Sequence, residues 1–161
     1  MRPSYDRLAT LDELLRRAGE LSAKTLVFDV EPLVAHWESG QDALDQGVKS
    51  VLARTRAIPG VQVVCFSTNS ARRPSSPLAG DGVRAEYLAL AGKPLRTAPY
   101  RDFPRPGVVI GDQLATDGAL ARRLGYTFLQ YHPDPGSLPL GPRLMDWCGQ
   151  LLRPLLFTRR H

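Results

Sequence analysis

The sequence predicts an α/β domain of three layers, built on a mostly parallel sheet of five strands, and three observations carry that reading. Segments such as LVFD at 26–29, VQVVCFS at 61–67 and VVIGD at 108–112 are apolar on both faces, as strands covered on both sides must be. They alternate with stretches whose apolar residues recur at helical spacing, and helices between parallel strands cross the sheet in a right-handed sense. Asp29, Ser67 and Asp112 each fall at the end of an apolar strand, the edge where open α/β sheets bind ligands.

Taken in order, residues 1–9 read as a loose leader. TLDELLRRAGEL follows as a helix, with Thr10 and Glu13 spaced as a capping box and Leu11, Leu14, Leu15 and Leu21 as its apolar stripe. The first strand covers 24–30 and leads through a loop carrying His36 and Trp37, read as packing residues, to a helix over 42–57 with Leu44, Val48, Val51 and Leu52 inward. IPG at 58–60 marks a turn before the second strand, 61–67, and the polar turn TNSARRPSSP leads to a short strand near 82–89. A strand over 105–112, a short helix over 115–125 closed by Gly125, and a last strand over 126–133 complete the sheet. Past the loop DPGSLPLGP, RLMDWCGQLLRPLL forms an amphipathic segment interrupted at Pro154, with Trp147 and Cys148 packed inward.

The chain of 161 residues is read as a single domain, 1–161, whose 43% apolar and 23% charged residues are those of an ordinary soluble globule. The net charge is +5, but no basic run interleaved with aromatic residues stands out, so no nucleic-acid partner is expected. Cys65 reads as a small buried hydrophobe, and its spacing from Cys148 is not that of a metal site. No stretch reads as a signal peptide and no apolar run approaches the ~18 residues of a membrane span, so a cytoplasmic location is expected.

The chemistry-bearing residues fall in order along the strand ends: Asp29 with Glu31, Ser67 in CFSTNS, Lys93 in AGKPLR, then Asp112 and Asp117 in GDQLATDGALARRLG. Carboxylates converging on one edge repel one another unless a cation neutralises them, and magnesium suits such hard oxygen ligands together with a substrate phosphate. A hydroxyl and a fixed ammonium complete a phosphate site, with Ser67 the first candidate and Thr68 its rival, beside Asn69.

This series resembles the haloacid dehalogenase-like (HAD) superfamily of aspartyl-phosphate phosphatases, and within it the capless branch that includes phosphatidylglycerophosphate phosphatases. The resemblance covers about residues 20–156, and GDQLATD leading into a helix is its most specific segment, with LVAHW and KPLR in support. It implies a Rossmann-like core without a cap domain, and no insertion long enough for a cap is present. It also implies a nucleophile at Asp29, an acid/base at Glu31, phosphate contacts from Ser67, Thr68, Asn69 and Lys93, and Mg2+ held by Asp29, the Glu31 carbonyl, Asp112 and Asp117. The chain departs from the family's D-x-D-x-T pattern, because DVEPL places glutamate at the acid/base position.

The expected function is therefore magnesium-dependent hydrolysis of a phosphomonoester, and an open site suits a large or lipid substrate such as phosphatidylglycerophosphate. The alternative is a degenerate member that binds phosphate or a partner protein with little turnover. In the tail, Leu144, Trp147, Leu151 and Leu155 with Arg153, Arg159 and Arg160 are set either to touch anionic lipid at the inner face of the membrane or to pack as a helix on the sheet.

Overall fold

The computed structural model describes residues 4–132 and 140–157, the side chains of 140–146 excepted; most of DPGSLPLGP, the Leu144 side chain, Arg159 and Arg160 lie outside the described residues. The elements are β1 (Tyr5–Leu8), α1 (Leu11–Glu20), β2 (Thr25–Asp29), α2 (Gln41–Thr55), β3 (Val63–Ser67), β4 (Arg84–Leu88), β5 (Gly107–Gly111), α3 (Ala119–Leu124), β6 (Thr127–Tyr131) and α4 (Leu140–Leu156). A 3-10 turn, Ala98–Tyr100, precedes β5, and a π-helical turn, Leu114–Gly118, precedes α3.

The strands form one six-stranded sheet in the order β1-β6-β5-β2-β3-β4, every neighbouring pair parallel. Alternate residues of β2 feed two cores. Leu26 and Phe28 join Leu14 and Ala18 of α1 and Leu44, Val48 and Leu52 of α2. Val27 faces the other way, with Leu120, Ala121 and Leu124 of α3 and with Phe157 just beyond α4. Helices on both faces of an all-parallel sheet explain why its central strands lack polar alternation.

The sheet has six strands where the sequence predicts five, because residues 5–8 are not a leader but an edge strand. YDRL interleaves charges with apolar residues, as suits an edge that is only half covered. What holds it is aromatic: the Tyr5 ring stacks on Phe128 and on Phe157 at centroid distances of 5.8 and 5.6 Å.

At the helix ends, the predicted capping box is present: Glu13 N–H donates to Thr10 Oγ1 (3.3 Å) and Thr10 N–H to Glu13 Oε2 (3.1 Å). Gly125, at φ +70°, closes α3 in the left-handed conformation that glycine adopts without strain. The helix predicted over 115–125 begins instead as the π-helical turn, in which Asp117 N–H and Gly118 N–H both donate to Gln113 O. Asp117 therefore lies inside a turn rather than capping α3.

Two expectations for the tail are overturned. α4 runs through Pro154 to Leu156, since only its last turn lies beyond the proline, and Arg122 Nη1 donates to the carbonyls of Leu155 and Leu156 there (2.6 and 2.7 Å). Trp147 and Cys148 point outward. The packing face is set by Gly149, where a Cβ would lie only 2.9 Å from Leu114 Cβ, so the helical phase turns residues 147, 148 and 151 away from the core.

Candidate functional site

Asp29 ends β2, Asp112 stands one residue past β5, and Asp117 sits in the π-helical turn that follows. The parallel register puts Phe28 beside Ile110, so the ends of β2 and β5 stop level and bring their acids together. One carboxylate oxygen from each of Asp29, Asp112 and Asp117 lies within 4.8 Å of the others. Gly111 allows the approach, because a Cβ there would meet Asp117 Oδ2 at 2.3 Å.

Lys93 reaches into this cluster with its side chain only 3% exposed. Its Nζ donates to Asp117 Oδ1 (2.7 Å), to Asp29 Oδ1 (2.8 Å) and to the carbonyl of Ser67 (3.3 Å). Asn69 fixes the lysine backbone from both sides: its Oδ1 accepts from Lys93 N–H (2.8 Å) and its Nδ2 donates to Lys93 O (3.1 Å). Asn69 thus holds Lys93 while lining the same cleft.

Three carboxylates against one ammonium leave the cluster rich in negative charge. Burial, reinforced by the charge of Asp117, holds Asp29 well above the ordinary carboxylate range, with Lys93 opposing. The same two causes push Asp112 up to about 7. Burial pulls the Lys93 ammonium down, but the charges of Asp117 and Asp29 outweigh it and hold the lysine above its ordinary value. Lys93 stays charged because two carboxylates contact its ammonium.

The donor set fits a hard divalent cation. Asp112 Oδ1 is buried with no hydrogen-bond partner, an orphaned acceptor that calls for a positive charge. Oxygens bound to one magnesium ion are at most ~4.2 Å apart, so the observed spread needs only a small contraction.

Glu31 holds its carboxylate apart from this cluster. It is 7% exposed, its Oε2 accepts from Thr68 Oγ1 (2.7 Å), and its Oε1 lies 3.4 Å from Ser70 Oγ and 3.6 Å from an Arg72 nitrogen. Arg72 also donates to the carbonyls of His36 (2.9 Å) and Ser39 (2.9 Å), tying the loop after β2 to the loop after β3.

Ser67 does not face the cleft. Its hydroxyl is buried against that of Tyr100 at 2.7 Å, while Thr68, one residue on, lines the cleft with Asp29, Glu31, Asn69, Arg72 and Lys93. Trp37, Ser70, Gln113 and Thr116 line it too, and sequence reasoning assigned none of them a role there. Arg72 and Tyr100 were equally unforeseen. Nothing in the sequence separates Arg72 from Arg73, and only the fold shows which one turns inward. Polar residues just past a strand end, such as Ser70 and Gln113, were the one available signal.

The edge of the sheet at β6 and β1 also reaches the site. Gln130 of β6 donates to the carbonyl of Asp112 (2.8 Å) and accepts from the Tyr5 hydroxyl of β1. The edge strand is therefore linked by side chains to a residue of the acidic cluster.

Fold and site together define an all-parallel α/β domain with three converging aspartates and one buried lysine at the carboxyl edge of its sheet. No family model, no curated protein and no solved structure matches the chain.

Proposed function

We propose that the protein is a magnesium-dependent phosphomonoester hydrolase of the HAD type, acting through an aspartyl-phosphate intermediate. The observation that carries this reading is the contact of one buried lysine with two of three converging aspartates, of which Asp29 alone lines the cleft.

In the proposed reaction an Asp29 carboxylate oxygen attacks phosphorus as the bond to the leaving oxygen breaks, giving an acyl phosphate. The leaving oxygen takes up a proton. Water then attacks the same phosphorus, and the aspartyl–phosphorus bond breaks to release inorganic phosphate and the free carboxylate. Lys93 orients Asp29 and offsets charge on the phosphate oxygens. Thr68, rather than Ser67, is the hydroxyl proposed to reach the phosphate, giving up its bond to Glu31. Asp29, Asp112 and Asp117 would hold Mg2+, which when bound supplies further countercharge to the phosphate oxygens. Glu31 lines the cleft and is the proposed acid and base for the leaving group and the water.

One observation favours the second reading, a phosphate-binding protein with little turnover. Both Glu31 oxygens are already engaged, by Thr68 on one side and by Ser70 and Arg72 on the other.

The test is phosphate release by the full chain from a panel of monoesters that includes phosphatidylglycerophosphate, with magnesium and with a chelator. Magnesium-dependent release that Asp29→Asn abolishes supports the hydrolase. Phosphate binding without release by wild type supports the second reading, and release unaffected by Asp29→Asn overturns the mechanism.

A further inference from the structure

Among the described residues, six large apolar side chains are exposed, and four of them stand on α4: Trp147 (62%), Leu151 (62%), Leu152 (42%) and Leu155 (70%). Trp147, Leu151 and Leu155 recur every four residues and so form one stripe along the helix. The stripe is not a frayed end. On its inner side α4 seats Gly149 against Leu114, sets Arg153 over the Tyr5 ring at 4.9 Å, and leads into Phe157, which is buried. A helix clamped on one face and apolar on the other presents a contiguous patch of the kind that marks an interaction surface.

Charge identifies the partner. After Asp146 the sequence carries Arg153, Arg159 and Arg160 and no acidic residue; Arg153 is turned inward over Tyr5, and Arg159 and Arg160 lie outside the described residues. Arg122 of α3 reaches the last carbonyls of α4, and Arg123 beside it is exposed, so cations also flank the end of the stripe. An apolar face with the exposed Arg122 and Arg123 at its end matches a bilayer boundary, where the apolar groups enter the acyl region and the arginines meet phosphate headgroups. A second copy of the chain fits less well: a twofold pairing would set each set of arginines against its own copy.

We propose that the outer face of α4 is a docking surface for an anionic lipid bilayer. No helix among the described residues is long and apolar enough to cross a membrane, so the contact is peripheral. It also stands apart from the phosphatase reading, since none of the four apolar residues lines the cleft. α4 packs on the π-helical turn that carries Asp117, so docking brings that side of the domain to the lipid surface.

The test is flotation of the full chain with vesicles of phosphatidylcholine alone and of equimolar phosphatidylcholine and phosphatidylglycerol. Wild type is expected to float with the anionic vesicles only, and the triple variant W147S/L151S/L155S to lose at least about tenfold in bound fraction. A second readout needs no multiple variant. Trp37→Phe leaves Trp147 as the one tryptophan, because the chain has two, and its emission is expected to shift to the blue with anionic vesicles. Equal flotation of wild type and triple variant overturns the proposal, as does an unshifted Trp147 emission. Concentration-dependent dimers that the triple variant abolishes also overturn it, because a second copy then covers the stripe.

Discussion

The ammonium of Lys93 lies 2.7 Å from Asp117 Oδ1, and Asp117 is wholly buried. Neither charge has water to fall back on, so each depends on the other and on Asp29. Lys93→Met keeps much of the volume and removes the charge, leaving Asp117 uncompensated. Breaking a buried pair in this way costs about 3–5 kcal/mol, and urea unfolding of the variant is expected to show a loss of that size. A loss below about 1 kcal/mol would mean that the pair is not buried as described.

The acidic cluster sets the direction of pH dependence. Asp112 is raised to about 7 and Asp29 is also raised, so between the ordinary carboxylate range and about pH 7 the folded state holds more protons than the unfolded chain. Stability then falls as pH rises through that window. With a chelator present, the urea midpoint is expected to be lower at about pH 8 than at about pH 5. Magnesium, which would bind the ionised carboxylates, should raise the midpoint most at the higher pH. A midpoint that climbs with pH in the chelator would contradict the assignment.

Glu31 decides whether the site turns over. If it acts as acid and base, Glu31→Gln lowers kcat by about 100-fold or more. Glu31→Asp restores the shorter acid of the resembled family and is expected to preserve or raise the rate. Equal activity of wild type and Glu31→Gln would remove Glu31 from the mechanism.

Ser67 and Thr68 are expected to separate cleanly. Ser67→Ala leaves the Tyr100 hydroxyl buried without its partner, which costs about 1–3 kcal/mol in stability with little change in KM. Thr68→Val removes the cleft hydroxyl and should weaken phosphate binding, read as a rise in KM or in the inhibition constant for inorganic phosphate. The opposite pattern would return Ser67 to the cleft.

Much of this architecture was legible because strong local signals agreed with the global fold. The capping box of Thr10 and Glu13, the unbroken apolar strands and the stop at Gly125 are each set by nearest neighbours in the chain. The acidic cluster was legible for a related reason: Asp29 and Asp112 follow strands whose apolar runs can only be core. What was missed depends on partners distant in sequence. β1 is a strand only because β6 offers it an edge and Phe128 and Phe157 offer Tyr5 a surface. The choice between Ser67 and Thr68 turns on Tyr100, and the outward aim of Trp147 on the close seat of Gly149 over Leu114. Local pattern carries no information about such contacts.

The pairing of β1 with β6 also has a bearing on how the domain is made. Tyr5 and Gln130, joined by a hydrogen bond, stand 125 residues apart. A ribosome releases β1 long before the strand that receives it exists, so the sheet cannot be finished until β6 has emerged. Until then Tyr5 lacks the Phe128 ring and the Gln130 amide it packs against, and the side-chain bridge through Gln130 to the Asp112 carbonyl closes only once β6 is in place.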